Sequence, residues 1–168
     1  MTWQFFHTYE DGDERKQTII SEYDTWEGTT LNETNKGVGS NSLQDGVIPL
    51  KYKIESNNAG NQCQTDWIVY RYADVLALLA EAIVREGNTV TTEAINLLNQ
   101  VRTRAGLIAY TASSFSSARD FLDKLLIERA HEFYFEGCRR QDLIRDGSYV
   151  ATMKQKCTDY GQVSIVNE

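Results

Sequence analysis

Proline occurs once in this chain, histidine twice and cysteine three times, and each scarcity closes off a class of explanation. Cys63, Cys138 and Cys157 form an odd set with no close pair, so they imply neither a disulfide framework nor a CxxC metal site and read as incidental free thiols. His7 and His131 lie far apart, and His131-Glu132 does not form HExxH, so no zinc site and no other cofactor is expected. Basic charge is also short. Lys and Arg number 17 against 24 Asp and Glu, a formal charge of −7 that argues against a general nucleic-acid binder. No G-x-S-x-G motif supports a serine nucleophile. No apolar run approaches the roughly 20 residues of a membrane-spanning helix, and the opening MTWQFFHTYEDGDERK lacks the basic segment and apolar run of a secretory signal.

What is present suits one globular domain or a piece of a larger one: 168 residues, 41% hydrophobic and 24% charged. Composition divides the chain near Tyr70. Residues 1–70 are rich in Gly, Asn, Thr, Ser and Asp, as in TWEGTTLNETNKGVGSNS, and predict an irregular, loop-rich portion. Short extended pieces are expected at Gln17 to Tyr23, Val47 to Ile54 (which holds Pro49) and Asp66 to Tyr70.

Residues 71–147 carry a helical period instead. Leu76, Leu79, Ala80 and Ile83 predict one face of a helix from Arg71 to Glu86, stopped at Gly87-Asn88. Ile95, Leu98, Val101 and Ala105 predict a second, capped at Thr91 or Thr92 and ended by Gly106. Ser117 and Asp120 form an S-x-x-D start for a third, whose face is Leu122, Leu125, Leu126, Arg129 and Phe133, with a break at Gly137. A short helix from Arg139 to Arg145 closes at Asp146-Gly147, and residues 148–168 read as a weakly patterned tail. The first two helices and their turn span about 34 residues, the length of a tetratricopeptide-type hairpin, which needs neighbouring helices to bury both faces.

These phrases carry a resemblance. Arg71-Tyr72-Ala73-Asp74, Leu78, Ala80-Glu81-Ala82, Ala94, Leu98-Asn99, Val101-Arg102 and Arg104-Ala105-Gly106 are followed by Glu128-Arg129, Glu132, Phe135-Glu136-Gly137, Arg140, Asp142-Leu143 and Arg145. In that order they resemble the C-terminal region of the SusD/RagB family, most strongly from Tyr70 to Gly147; Asp13, Arg15 and Val47 to Tyr52 resemble the segment before it. The resemblance implies a mainly α, tetratricopeptide-like scaffold carrying an irregular, loop-rich N-terminal portion with short strands. It also implies a surface-exposed lipoprotein of the outer membrane of Bacteroidetes-type bacteria, which binds oligosaccharide and delivers it to a SusC-type TonB-dependent transporter. The family's signal peptide, lipidated cysteine and N-terminal helical repeats have no counterpart in these 168 residues, so the chain is expected to be a C-terminal piece, attached to the membrane only through a lipid anchor on the missing part.

Two sets of residues bear on function. Glu128, Glu132 and Glu136 recur at i, i+4 and i+8. They could supply the carboxylate pair of a glycoside hydrolase, but alternating signs on packed helices favour an ion-pair network reaching Arg71, Arg102 and Arg104. No catalytic residue is therefore expected. Sugar recognition asks for aromatic faces beside amides and carboxylates; Trp3, Tyr9, Tyr23 and Trp26, set in polar sequence near Asp24, Glu27, Asn32 and Asn35, are the candidate ligand-binding residues. Each could equally anchor the core, and Trp67, Phe133, Tyr134 and Phe135 are expected to be buried packing residues. The leading expectation is a glycan-binding protein without catalysis; the alternative is a helical protein-interaction scaffold with no sugar site of its own.

Overall fold

The computed structural model describes residues 1–39, 42–52 and 65–159. Its framework is three packed helices: α2 (Tyr72–Gly87), α3 (Thr92–Arg104) and α4 (Ala118–Glu132). α1 (Trp3–Phe6) precedes them, and α5 (Arg139–Asp146) and α6 (Tyr149–Asp159) follow. The helices start and stop where local chemistry requires it. Thr91 and Ser117 stand in extended conformation, and their hydroxyls accept from the N–H of Ala94 and Asp120. Asn88 ends α2 in the left-handed region, at φ 45°.

α2 is the spine, packing on both α3 and α4. Ala77, Ala80 and Val84 meet Ala94, Ile95 and Leu98 of α3 and Phe121, Leu122 and Leu125 of α4 in one apolar core. The small side chains on α2 and α3 let the backbones approach closely enough for the fully buried Phe121 to fill the remaining space. Of the expected α2 face, Leu76 and Ala80 are buried and Ile83 packs against the core, but Leu79 is 45% exposed and Ala77 and Val84 are buried beside them.

The loop-rich portion forms a smaller core of Tyr9, Ile19, Val47 and Tyr134, with Met1, Trp3, Phe5 and Phe6 against it. Four two-residue strands pair antiparallel: β1 (Ile19–Ile20) with β4 (Ile48–Pro49), and β2 (Tyr23–Asp24) with β3 (Thr30–Leu31). The extended segment expected at Asp66 to Tyr70 forms no strand, and Lys53 and Ile54 lie outside the described residues. Gly46, at φ 132°, lets the chain turn against the N-terminus; a Cβ there would fall 1.8 Å from the carbonyl oxygen of Met1.

The expected tail is instead helical up to Asp159. Gly147 closes α5 in the left-handed region, and α6 begins two residues later. Tyr149, Met153 and Cys157, four apart, are its half-buried stripe. Residues 160–168 and Cys63 lie outside the described residues; Cys138 and Cys157 are free thiols.

Candidate functional site

The three glutamates are all held by cations, as their alternating-charge setting suggested. Glu132 accepts from Arg71 at 2.5 Å and from Arg104 at 2.6 Å, with Arg15 at 3.4 Å. Glu128 lies 2.7 Å from Arg15 and 3.4 Å from Arg102. Glu136 receives Nε and Nη2 of Arg71 at 3.0 and 2.9 Å and also contacts Lys51. α4 ends at Glu132, so Glu136 reaches the same network from the turn that follows rather than from a continuous helix. Arg71 begins α2 with no side-chain cap; its guanidinium crosses to Glu132 and Glu136 and lies 4.5 Å from the Phe133 ring centre. Arg15 and Lys51, from the loop-rich portion, complete the set, and their signal in the sequence was only their place in the family-like segments.

This arrangement suits structure better than acid catalysis. Burial alone would raise the Glu136 carboxyl, but the hydrogen bonds from Arg71 and Lys51 outweigh it and hold the group below its ordinary value. A general acid needs the opposite shift. Glu132 and Glu136 do border a cavity of about 420 Å³, but Arg71, Arg104 and Lys51 line it with them. A second network fixes the helices to one another: Arg129 joins Asp74 of α2 at 2.7 Å to Asp142 of α5 at 2.8 Å, and Arg145 joins Asp142 to Glu81, both at 2.9 Å.

His131 belongs to the small core. Its Nε2 is 2.8 Å from the Thr8 hydroxyl, and its ring stacks on Tyr9 with centres 4.0 Å apart. Because Thr8 donates its own proton to the Phe5 carbonyl, neutral His131 carries its proton on Nε2. Burial, with Arg15 adding to it, lowers its pKa to about 4. Among the described residues no group of three or more His, Cys, Asp or Glu side chains could hold a metal ion.

The four aromatic residues singled out from sequence occupy different settings. Trp26 is 91% exposed at the tip of the β2–β3 hairpin, where the N–H of Gly28 and that of Thr29 bond to Thr25. Tyr23 is half-buried on the strand leading to it. The polar residues around the tip brace it: Thr30 donates to Asp24 at 2.6 Å, Asn32 caps Thr34 and Asn35, and Asn35 donates to the Thr30 carbonyl. Trp3 is half-buried, its indole N–H donating to Leu43 at 2.9 Å. Tyr9 is only 4% exposed, with its hydroxyl on the His131 carbonyl, and it anchors the small core. Trp3 and Tyr9 thus share one cluster, and Trp26 stands apart from it. The expectation of burial fails for Trp67, 63% exposed, and for Phe135, 58% exposed, although Phe133 and Tyr134 are buried. An apolar neighbourhood in sequence does not by itself bury a residue: Ile68 and Val69, beside Trp67, are exposed too.

A sequence profile of the SusD family matches residues 2–166. The chain belongs to the SusD family. It is 37% identical over 95 residues to SusD-like protein P38 of Formosa agariphila, a match covering 53% of this chain and 18% of that protein. With the starch-binding protein SusD of Bacteroides thetaiotaomicron it shares 34% identity over 85 residues, 51% of this chain and 14% of that one. The crystal structure of a SusD homologue from the same organism superposes with a TM-score of 0.67 at 26% identity, over 98% of this chain and 36% of its own. NanU of Bacteroides fragilis superposes at 0.58 with 28% identity, over 83% and 30%. The chain therefore spans less than a fifth of these curated relatives and about a third of these solved structures.

Proposed function

We propose that this SusD-family chain is part of a non-catalytic, cell-surface glycan-binding protein that passes oligosaccharide to a SusC-type TonB-dependent transporter in the outer membrane. The carrying observation is the pairing of family membership with Trp26, an indole 91% exposed on a hairpin whose amides and carboxylates already brace its backbone. A flat apolar face held rigidly in water suits the C–H face of a pyranose ring. Tyr23 flanks it on β2, while Trp3, bonded to the Leu43 carbonyl, and Tyr9 anchor the small core of the loop-rich portion. A starch-binding relative agrees with the ligand class. The pairing of Glu128, Glu132 and Glu136 with cations supports the non-catalytic reading. Among the described residues no helix is long and apolar enough to cross a membrane.

Isothermal titration against a panel of neutral oligosaccharides tests the reading. Trp26→Ala is expected to lower affinity about tenfold while leaving the unfolding midpoint unchanged, because the ring packs on nothing. No binding by the intact protein to any glycan would count decisively against it.

A second reading, a docking scaffold with no sugar of its own, is favoured by one feature. Tyr72, Val75, Leu78 and Leu79 form an exposed apolar stripe along α2, preceded by exposed Val69 and Tyr70. On α3, by contrast, Leu97 is half-buried and Val101 buried. Co-purification with the transporter, but no glycan heat, would favour this reading.

A further inference from the structure

A second cavity, apart from the one that Arg104 lines, has aromatic walls. It has a volume of about 670 Å³, within the range of small-molecule sites, and Trp67, Phe133, Phe135, Arg139 and Arg140 are among the residues lining it. Trp67 lies nearly parallel to Tyr52, with ring centres 5.8 Å apart, and Tyr52 in turn meets Phe135 at 6.2 Å. Both Trp67 and Phe135 are more than half exposed. Phe135 sits at φ 61°, a left-handed conformation that a bulky aromatic residue rarely adopts and that strained functional positions often contain.

The charges in this cleft are unusual for the chain. Eight of the ten arginines have carboxylate partners: Arg15, Arg71, Arg85, Arg102, Arg104, Arg119, Arg129 and Arg145. Among the described residues Arg139 and Arg140 have none, and both line this cleft. Arg139 donates to the Leu126 carbonyl at 3.0 Å, and Arg140 lies 5.6 Å from the Tyr149 ring centre. The carboxylate within the cleft, Asp142, is already held by Arg129 and Arg145, and Asp146 is held by Arg119. Two cations without counterions therefore face an aromatic cavity in a chain of net charge −7. Burial pushes the Arg139 guanidinium below its ordinary value, as expected of a cation lacking a close acid.

From this juxtaposition we propose that the cleft binds an acidic saccharide, with a pyranose face on Trp67 and Phe135 and an anionic substituent, carboxylate or sulfate, on Arg140 and Arg139. The choice of a saccharide rests on the glycan-binding reading; the demand for negative charge rests on the arginines alone. The Trp26 hairpin and this cleft share no residue, so each can be removed separately.

The full chain is titrated with a short oligogalacturonate, its methyl ester, a sulfated galactan oligosaccharide and a neutral gluco-oligosaccharide. The expected result is that one or both anionic ligands bind about tenfold more tightly than the ester, and the better of the two identifies the anion. Arg140→Gln is expected to abolish that preference, and Trp67→Ala to weaken acidic and esterified ligands alike; both positions are exposed, and circular dichroism confirms folding. The proposal is overturned if neither anionic ligand binds more tightly than the ester, if the preference survives Arg140→Gln, or if Trp26→Ala weakens the anionic ligand while Trp67→Ala does not. Binding of neutral oligosaccharide alone, lost with Trp26→Ala, would sink this cleft and leave the glycan reading standing. No binding of any saccharide would sink both.

Discussion

Glu132 carries more electrostatic responsibility than any other side chain here. It is 2% exposed and draws Arg15, Arg71 and Arg104 together from three parts of the chain. Replacing it with glutamine keeps the shape but leaves three guanidinium groups without their common anion. Glu132→Gln is expected to destabilise the fold by about 3 kcal/mol, read from the urea midpoint, as for other broken buried pairs. Asp123→Asn, at the exposed pair with Arg119, should change stability by less than about 1 kcal/mol. His131 offers a pH signature. Its folded pKa of about 4 lies below the ordinary 6.5, so the unfolded chain binds a proton that the folded chain refuses between those values. Its share of stability is intact above pH 6.5 and falls by about 3 kcal/mol as pH drops to 4. His131→Gln should flatten the stability curve in that window, measured by denaturant unfolding at each pH against the parent. If the two curves stay parallel, the buried neutral histidine is wrong.

At the level of elements, capping and burial explain both what sequence reveals and what it hides. Ser117→Ala removes the acceptor for the Asp120 N–H, 3.1 Å away, and is expected to cost about 1 kcal/mol, detectable as a lower melting temperature. The sequence showed the stop of α2 and the starts of α3 and α4 because Asn88, Thr91 and Ser117 act within a few residues of themselves, whereas α4 ends at Glu132, before the expected break at Gly137. It put Leu76, Ala80 and Ile83 on the packed side of α2 but chose Leu79 where Ala77 and Val84 are buried, because both sets fit a helical period and only contact with α3 and α4 decides. α6 was hidden because its stripe is thin: Tyr149, Met153 and Cys157 are separated by polar residues and preceded by Gly147. The glutamate ladder was legible from alternating charge, and its partners Arg71, Arg102 and Arg104 were named correctly. Aromatic residues were the least legible. Tyr9 and Trp26 both lie in polar sequence, yet distant chain, His131 and Val47, buries one and nothing covers the other.

For the molecule as a whole, the exposed α2 stripe and the paired interior make opposite predictions about tolerance. Val75→Lys with Leu79→Lys should leave the unfolding free energy within about 0.5 kcal/mol, since both side chains already face solvent. The same pair should remove transporter co-purification if that face is the docking surface; unchanged co-purification would exclude it. The glutamate ladder also sets an order of events. Arg15 waits 117 residues for Glu132, and Lys51 waits 81 for the backbone carbonyl of the same residue. As the chain leaves the ribosome, its first third emerges with cations whose acids have not yet been made. Until the end of α4 appears, Asp13 is the carboxylate already beside Arg15, so the loops that bear Trp26 are made before the helix that locks them in place.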